Sequence, residues 1–464
     1  MNSLQILMAT MITGSCGFSL RNEAGSELTK GEAEVKLQNE KLWILPKFGE
    51  AIHLSLVDII EILPGDFRVD ITLSSREKLA VFDLGYKFGD FVLNLIHLRN
   101  EIILKYLLMN ESIKKSGVSG DLTLADTSGT GKQFERCEFR LYETSIVLIP
   151  SMGEPIRVHY SNIAQVEAKE YTISIATELG ERFTISKLGK EFDSTSRDLS
   201  EAINALNIQS QSLIKDLVPS ADPSVVRALS RLMKDGKAAR SSDIKSFSPT
   251  MWGELEKKLE QTPIWSEYQY LKSVARQEKI AIGIKRGLMS DLTGNYLWLL
   301  IPIYGKNPEH GNAIALESVR LISTDPKEND SSGGVLSEED IGATTGGNAT
   351  YFFRIVGRKD YPGLATNMEE LDSKVDSVIL RTNQLMLDIN FRREPIFLSD
   401  EKLRTEPKYA TYRYATQKIS SLKQLRELFI GRVIHSSFEQ WKSDATRLLS
   451  FNITANDDTK WKKS

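Results

Sequence analysis

The sequence has few of the residues that hold small extracellular domains or metal sites together. Among its 464 residues are two cysteines, Cys16 and Cys137, and five histidines. Two cysteines cannot form a disulfide framework, and the histidines do not have the spacing of metal ligands. We therefore expect a cytoplasmic protein that has no metal or other cofactor.

Long apolar runs and a strong net charge are also missing. The longest apolar stretch, residues 296–303, contains Pro302 and is far shorter than the roughly 18 residues of a membrane span. A net charge of -3 gives no reason for the whole protein to be attracted to nucleic acid or to anionic membranes. The first 20 residues are mildly apolar but have no Lys or Arg, so we expect a flexible start, with a processed signal as the alternative.

An internal repeat is the strongest positive signal. Residues 42–95 align with residues 146–199 without a gap, at a spacing of 104 residues and with 11 identities in 54 positions. The identities include the pattern Pro-x-x-Gly-Glu, at residues 46–50 and 150–154, and a shared Leu-Gly pair. Proline and glycine each constrain the backbone in a way that few residues can replace. The repeat therefore predicts two copies of one small domain.

Each copy is predicted to be a run of about seven short strands followed by one helix. In the first copy, apolar residues cover more than one face of that helix, at residues 90–109. Such a helix must be buried on a second side, and we expect the second repeat to cover it, with a dimer contact as the alternative.

The segment 120–207 resembles the pleckstrin-homology-like (PH/GRAM-like) superfold, as does 31–115, because both have this order and number of elements. The resemblance implies an α+β fold of tandem small antiparallel β-barrels, each capped by a C-terminal helix. The predicted segments are a flexible N-terminus (1–30), PH-like repeat 1 (31–115), PH-like repeat 2 (120–207), a helical linker (208–278), a third α+β module (279–395), which a diverged third copy would explain, and a basic helical tail (396–464).

Residues that could bind an anion or a partner are scattered along the chain. Some members of the superfold bind phosphoinositides through basic residues in the loop between the first two strands, which here would be residues 126–133. Basic residues also occur at predicted strand ends in the third module, and a stretch of tyrosine and arginine follows, with Tyr412 and Tyr414 expected on one face of a strand. The candidates are Lys132, Arg136, Lys285, Arg286, Arg358, Lys359, Tyr412, Arg413 and Tyr414.

No group of residues in the sequence combines a nucleophile, a base and an orienting partner. We therefore expect a non-enzymatic interaction or scaffold protein that binds protein partners through grooves of the PH-like modules. Binding to anionic membrane lipids, or to nucleic acid or chromatin, through the third module and the basic tail is the alternative. Homo-oligomers are compatible with either function.

Overall fold

A computed structural model describes residues 12–38, 40–107, 109, 111–125, 131–289, 292–304, 313–321, 349–356 and 368–454. The chain forms two compact units. One consists of Met1–Val158, Asn162–Leu199 and Asp400–Ile419, and the other of His159–Ser161, Ser200–Ser399 and Ser420–Ser464. The fold is α+β, as the sequence predicts, with antiparallel sheets of which one curls into a half-barrel.

The two repeats form two sheets of seven strands each. The strands of the first sheet are β1 (Ile12–Arg21), β2 (Glu27–Gln38), β3 (Lys41–Pro46), β4 (Ile52–Ser55), β5 (Ile59–Pro64), β6 (Arg68–Leu73) and β7 (Lys78–Phe82). Those of the second are β8 (Ile113–Ala125), β9 (Gly131–Tyr142), β10 (Ser145–Pro150), β11 (Ile156–His159), β12 (Ile163–Lys169), β13 (Thr172–Thr177) and β14 (Arg182–Ser186). The strand orders, β4-β3-β2-β1-β7-β6-β5 and β11-β10-β9-β8-β14-β13-β12, are equivalent.

The structure repeats its elements at the spacing found in the sequence. Strands β2, β3, β4, β6 and β7 recur as β9, β10, β11, β13 and β14, with both ends displaced by 104 residues. Irregular details recur too, because Gly85 and Gly189 have φ angles of +57° and +56°, a region that glycine enters at little cost. Helices α1 (Phe88–Tyr106) and α2 (Phe192–Leu217) follow at equivalent positions. We call β1–β7 with α1 module 1, and β8–β14 with α2 module 2.

Helix α1 is buried on more than one side, as its sequence predicts. Phe91, Leu95 and Ile102 lie in the core of the first sheet. Leu104, farther along the helix, packs against Tyr142 and other residues of the second sheet. The second apolar face of α1 is therefore covered within the chain. Leu104 confirms the contact between repeats that we favoured, whereas Ile103 and Leu107 pack with Tyr414 of the C-terminal part.

The N-terminal segment differs from the expected flexible start. From residue 12 the chain forms β1, which lies in the middle of the first sheet between β2 and β7. Cys16 and Phe18 point into the core and are almost fully buried. The sequence alignment missed this strand because the two copies share few identical residues before residue 42. In the second copy, similarly, β8 already begins at Ile113.

The third sheet belongs to the other unit and has six strands in sequential order. They are β15 (Ala238–Arg240), β16 (Ala281–Met289), β17 (Leu292–Ile303), β18 (Ala313–Leu321), β19 (Ala349–Arg354) and β20 (Phe429–Ile434). The helices up to β16 are α3 (Pro223–Leu232), α4 (Ser241–Phe247), α5 (Met251–Glu260) and α6 (Trp265–Val274). Trp252 and Tyr268 share one core with Leu297 and Leu299 of the sheet. The segment expected to be a linker thus forms part of this core, and the strand order differs from that of the two repeats.

The C-terminal part is helical only in pieces. Its helices are α7 (Met368–Asp388), α8 (Glu394–Phe397), α9 (Asp400–Thr405), α10 (Arg413–Lys418), α11 (Ser420–Leu428) and α12 (Phe438–Thr454). The predicted helical tail (396–464) is interrupted by a strand, since residues 429–434 form β20 and pair with β19. Aromatic and β-branched residues favour a strand there, and pairing with a buried neighbour outweighs the helical spacing of the apolar residues.

Candidate interaction site

The outer surface of β10 in module 2 is covered by helix α1. Ile146 and Leu148 are fully buried, and by strand alternation Val147 and Ile149 face the opposite way, yet they are buried too. Leu104 of α1 forms one apolar cluster with both of these outer residues and Tyr142. Module 2 therefore has a binding surface for a helix, and a helix of the same chain occupies it.

Polar contacts fix the helix on this surface. The side-chain amide of Asn100 donates a hydrogen bond of 2.8 Å to the carbonyl oxygen of Gly153, in the turn that the repeat motif predicts. Arg140, on β9 beside Val147, forms a 2.6 Å ion pair with Glu101 of α1. Burial alone would lower the pKa of Arg140, but hydrogen bonds to Glu138 and Glu101 outweigh it and raise the pKa. The contact thus combines apolar packing, an amide–carbonyl bond and a charged pair.

The motif glutamate of module 2 takes part in a second contact with α1 and α10. Arg99 donates to the carbonyl oxygens of Ile59 and Ile60, and its guanidinium lies 5.0 Å from the ring centre of Tyr414. The Tyr414 hydroxyl donates to the carboxylate of Glu154 at 3.1 Å. Burial lowers the pKa of Arg99 and raises that of Tyr414. Glu154 therefore binds a helix that comes from a distant part of the chain.

Among the residues that the structure describes, the equivalent surface of module 1 is more exposed than that of module 2. Lys36 faces Trp43 across β2 and β3, as Arg140 faces Val147 in module 2, and Leu45 corresponds to Ile149. Trp43 and Leu45 are half-buried, whereas Val147 is fully buried. Gly49, the counterpart of Gly153, is exposed. We call Lys36, Trp43, Leu45 and Gly49 the open face of module 1.

Two further features extend the open face. Phe48, next to Gly49, is 93% exposed and adds apolar area beside the open face. An open pocket of about 470 Å³ adjoins Leu45, and Lys47 and Lys87 also line it. The surface therefore offers apolar contact area and space for an inserted side chain, while Lys47 is paired with Glu32 and Glu34 also lines the pocket.

The predicted anion-binding residues occupy varied environments. Lys132 is an exposed residue of β9, and Arg136 lies in the same strand with a φ angle of +53°. Lys285 forms a 2.6 Å ion pair with the buried Asp235, and Arg286 follows it in β16 instead of at a strand end. Arg358 and Lys359 lie outside the described residues.

The tyrosine-rich stretch is not a strand, so that prediction was wrong. It forms a short 3-10 helix, Pro407–Tyr412, followed by α10, and Pro407 favours a helix start. Tyr412 and Tyr414 are buried, and Arg413 forms a 3.0 Å ion pair with Asp58. These side chains hold α10 in place within their unit, which leaves little of them for an external ligand.

The other unit contains a buried polar network around Glu317. This residue is completely buried and accepts a hydrogen bond of 2.6 Å from the hydroxyl of Thr350. His435 lies 3.1 Å from the same carboxylate, and Trp441 donates to Thr350. Burial lowers the pKa of His435, but the hydrogen bond and the charge of Glu317, with a contribution from Glu267, raise it above its usual value. The network forms an internal polar anchor between β18, β19 and α12.

The raised pKa of His435 predicts how stability depends on pH. The protonated imidazole is favoured by the folded state, so its contribution is full below the unfolded pKa of about 6.5 and is lost as the pH rises through the folded pKa. We expect the stability difference between the wild type and His435→Gln to be largest at acidic pH and to shrink above neutrality. Urea denaturation of both proteins across this range measures it, and a difference that grows with pH would contradict the assignment.

The interaction surface was missed from the sequence, although a signal for it was present. Asn100 and Asn204 are identical at the repeat spacing, but they lie beyond the aligned region, which ended at residue 95.

Within the described ranges, no group of three or more His, Cys, Asp and Glu residues could hold a metal ion. In the same ranges, no helix is both long and apolar enough to cross a bilayer. No protein-family model matches the chain, and no curated protein is significantly similar to it.

Proposed function

We propose that this chain is a non-enzymatic interaction protein whose two PH-like modules bind helical segments. The observation that carries the proposal is the docking of α1 on module 2, through Leu104, Asn100 and Glu101. Module 1 has the same strands and the same class of residue at the matching positions, and its face is open. A helix from a protein partner is therefore the ligand that the open face fits best.

The assignment of both modules to the PH-like superfold is part of the proposal. Support comes from the equivalent seven-strand orders, the curled half-barrel and the helix that follows each sheet.

A cytoplasmic location is also part of the proposal, and the state of the two cysteines supports it. The two cysteines are free and buried, and burial raises the pKa of Cys16 to about 11 and that of Cys137 to about 12, so neither thiol is reactive at neutral pH.

Site-specific photo-crosslinking tests the proposed function. A benzophenone amino acid placed at Phe48 in the full chain is expected to crosslink discrete proteins from a lysate, through peptides with an amphipathic helical pattern. The same probe at Phe247, which is 54% exposed in the other unit, is the matched control. Adding Leu45→Asp to the Phe48 probe should abolish the adducts while leaving the circular dichroism spectrum unchanged.

The same experiment separates this proposal from binding to lipid or nucleic acid. Adducts that form equally at Phe48 and Phe247, or that survive Leu45→Asp, would contradict binding at the open face. Parallel arms use phosphatidylserine vesicles and double-stranded DNA at low and high salt. Salt-sensitive retention on either one, without Leu45-dependent protein adducts, would favour the alternative predicted from the basic residues.

A further inference from the structure

Helix α2 carries the docking residues of α1 at the repeat spacing. Asn204 corresponds to Asn100, and Ile208 corresponds to Leu104. In α1 these residues are buried against module 2, but in α2 Asn204 is exposed and Ile208 is 68% exposed. Within the described residues, the chain therefore carries a second copy of the docking residues and of the surface that receives them, and Asn204, Ile208 and Gly49 in these copies are exposed.

We propose that copies of this chain associate head to tail, with α2 of one copy docked on the open face of module 1 of the next. This inference rests on the proposed function, because it requires the open face to bind a helix, and it names that helix. In the new contact Ile208 would cover Trp43 and Leu45, as Leu104 covers Val147 and Ile149. The amide of Asn204 would meet the carbonyl group of Gly49, as Asn100 meets Gly153.

The proposed contact also pairs opposite charges, but the carboxylate on α2 lies one helical turn away from the position of Glu101 on α1. Lys36 corresponds to Arg140, but the partner of Arg140, Glu101, corresponds to Ala205 in α2. Glu201 is exposed and lies one turn earlier on the same helical face as Ala205. A long lysine side chain is flexible enough to reach it, so Glu201 supplies the carboxylate that position 205 has lost.

The proposed contact joins two different surfaces and so leaves a free helix at one end and a free face at the other. Contacts of this type continue into rings or filaments. A single helix on a small sheet face is a small interface, for which dissociation constants are micromolar or weaker. Assembly should thus depend on concentration and grow gradually in size.

Complementary variants of the full-length protein test this arrangement by sedimentation velocity. The wild type is expected to form larger species as its concentration rises through the micromolar range. Ile208→Asp removes the helix surface and Leu45→Asp removes the receiving face, so each variant alone should stay monomeric. A mixture of the two should form a dimer and nothing larger, because the one intact helix meets the one intact face.

Phe247→Asp, an exposed apolar-to-acidic change at a residue that belongs to neither set of docking residues, should assemble like the wild type. A wild type that stays monomeric throughout, or a mixture of the variants that forms no dimer, would overturn the proposal. If the protein does not self-associate but still crosslinks other proteins from Phe48 in a Leu45-dependent way, the proposed function stands without the head-to-tail contact. If neither self-association nor this crosslinking is observed, both the proposed function and the head-to-tail contact are contradicted.

Discussion

Replacing Arg157 with methionine should lower the free energy of unfolding by about 3–5 kcal/mol, the cost of breaking a buried ion pair. Arg157 contacts Glu111 at 2.7 Å, and their side chains are only 5% and 3% exposed. Thr144 also donates to Glu111 through its amide and its hydroxyl. Methionine keeps the apolar stem but leaves the Glu111 carboxylate buried without its counter-charge. Urea denaturation followed by circular dichroism measures the change.

Two further proteins check the cause of this effect. Arg68→Met removes a guanidinium that pairs with Asp70 where both side chains are about half exposed, and should cost less than about 1 kcal/mol. Adding Glu111→Gln to Arg157→Met removes the stranded charge and should restore part of the lost stability. A double variant that is less stable than Arg157→Met would show that the buried charge is not the reason.

Leu104→Ala is the second change with a large expected effect, a loss of about 2–4 kcal/mol. The side chain is 4% exposed between the modules, and its removal leaves a cavity beside Val147 and Ile149. Its repeat counterpart provides a matched control within the same chain. Ile208→Ala should change the free energy of unfolding of dilute protein by less than about 0.5 kcal/mol, because Ile208 is 68% exposed.

Equal losses of stability for Leu104→Ala and Ile208→Ala would contradict the asymmetry between the two helices.

Part of this fold could be predicted from the sequence. The repeat spacing, the run of strands before each helix and the second buried face of α1 were predictable, because proline, glycine and apolar positions report backbone turns and burial directly. The width of the apolar stripe on α1 predicted only that a second face is buried. It did not by itself identify the residues that cover this face.

Other parts of the fold depend on neighbours that are distant in the sequence. Strand β1 was not predicted because it shares few identical residues with the second copy. Its place in the middle of the sheet depends on β7, far along the chain, as well as on the adjacent β2. Tyr414 looked like half of a strand face, but it is buried against Arg99 and Glu154. The open face could not be inferred either, because Trp43 and Val147 are both apolar, and their exposure depends on whether a helix lies above them.

The broad apolar surface of α1 has a consequence for how the protein is made. Ribosomes release the chain from its N-terminus, so module 1 and α1 emerge before β9 and β10 exist. During this interval Leu104 faces water, and so does Ile103, whose cluster partner Tyr414 is made later still, although both are buried in the finished protein. Exposed apolar surface of this kind is what chaperones bind and what leads nascent chains to aggregate. Module 1 thus depends during synthesis on a module that follows it.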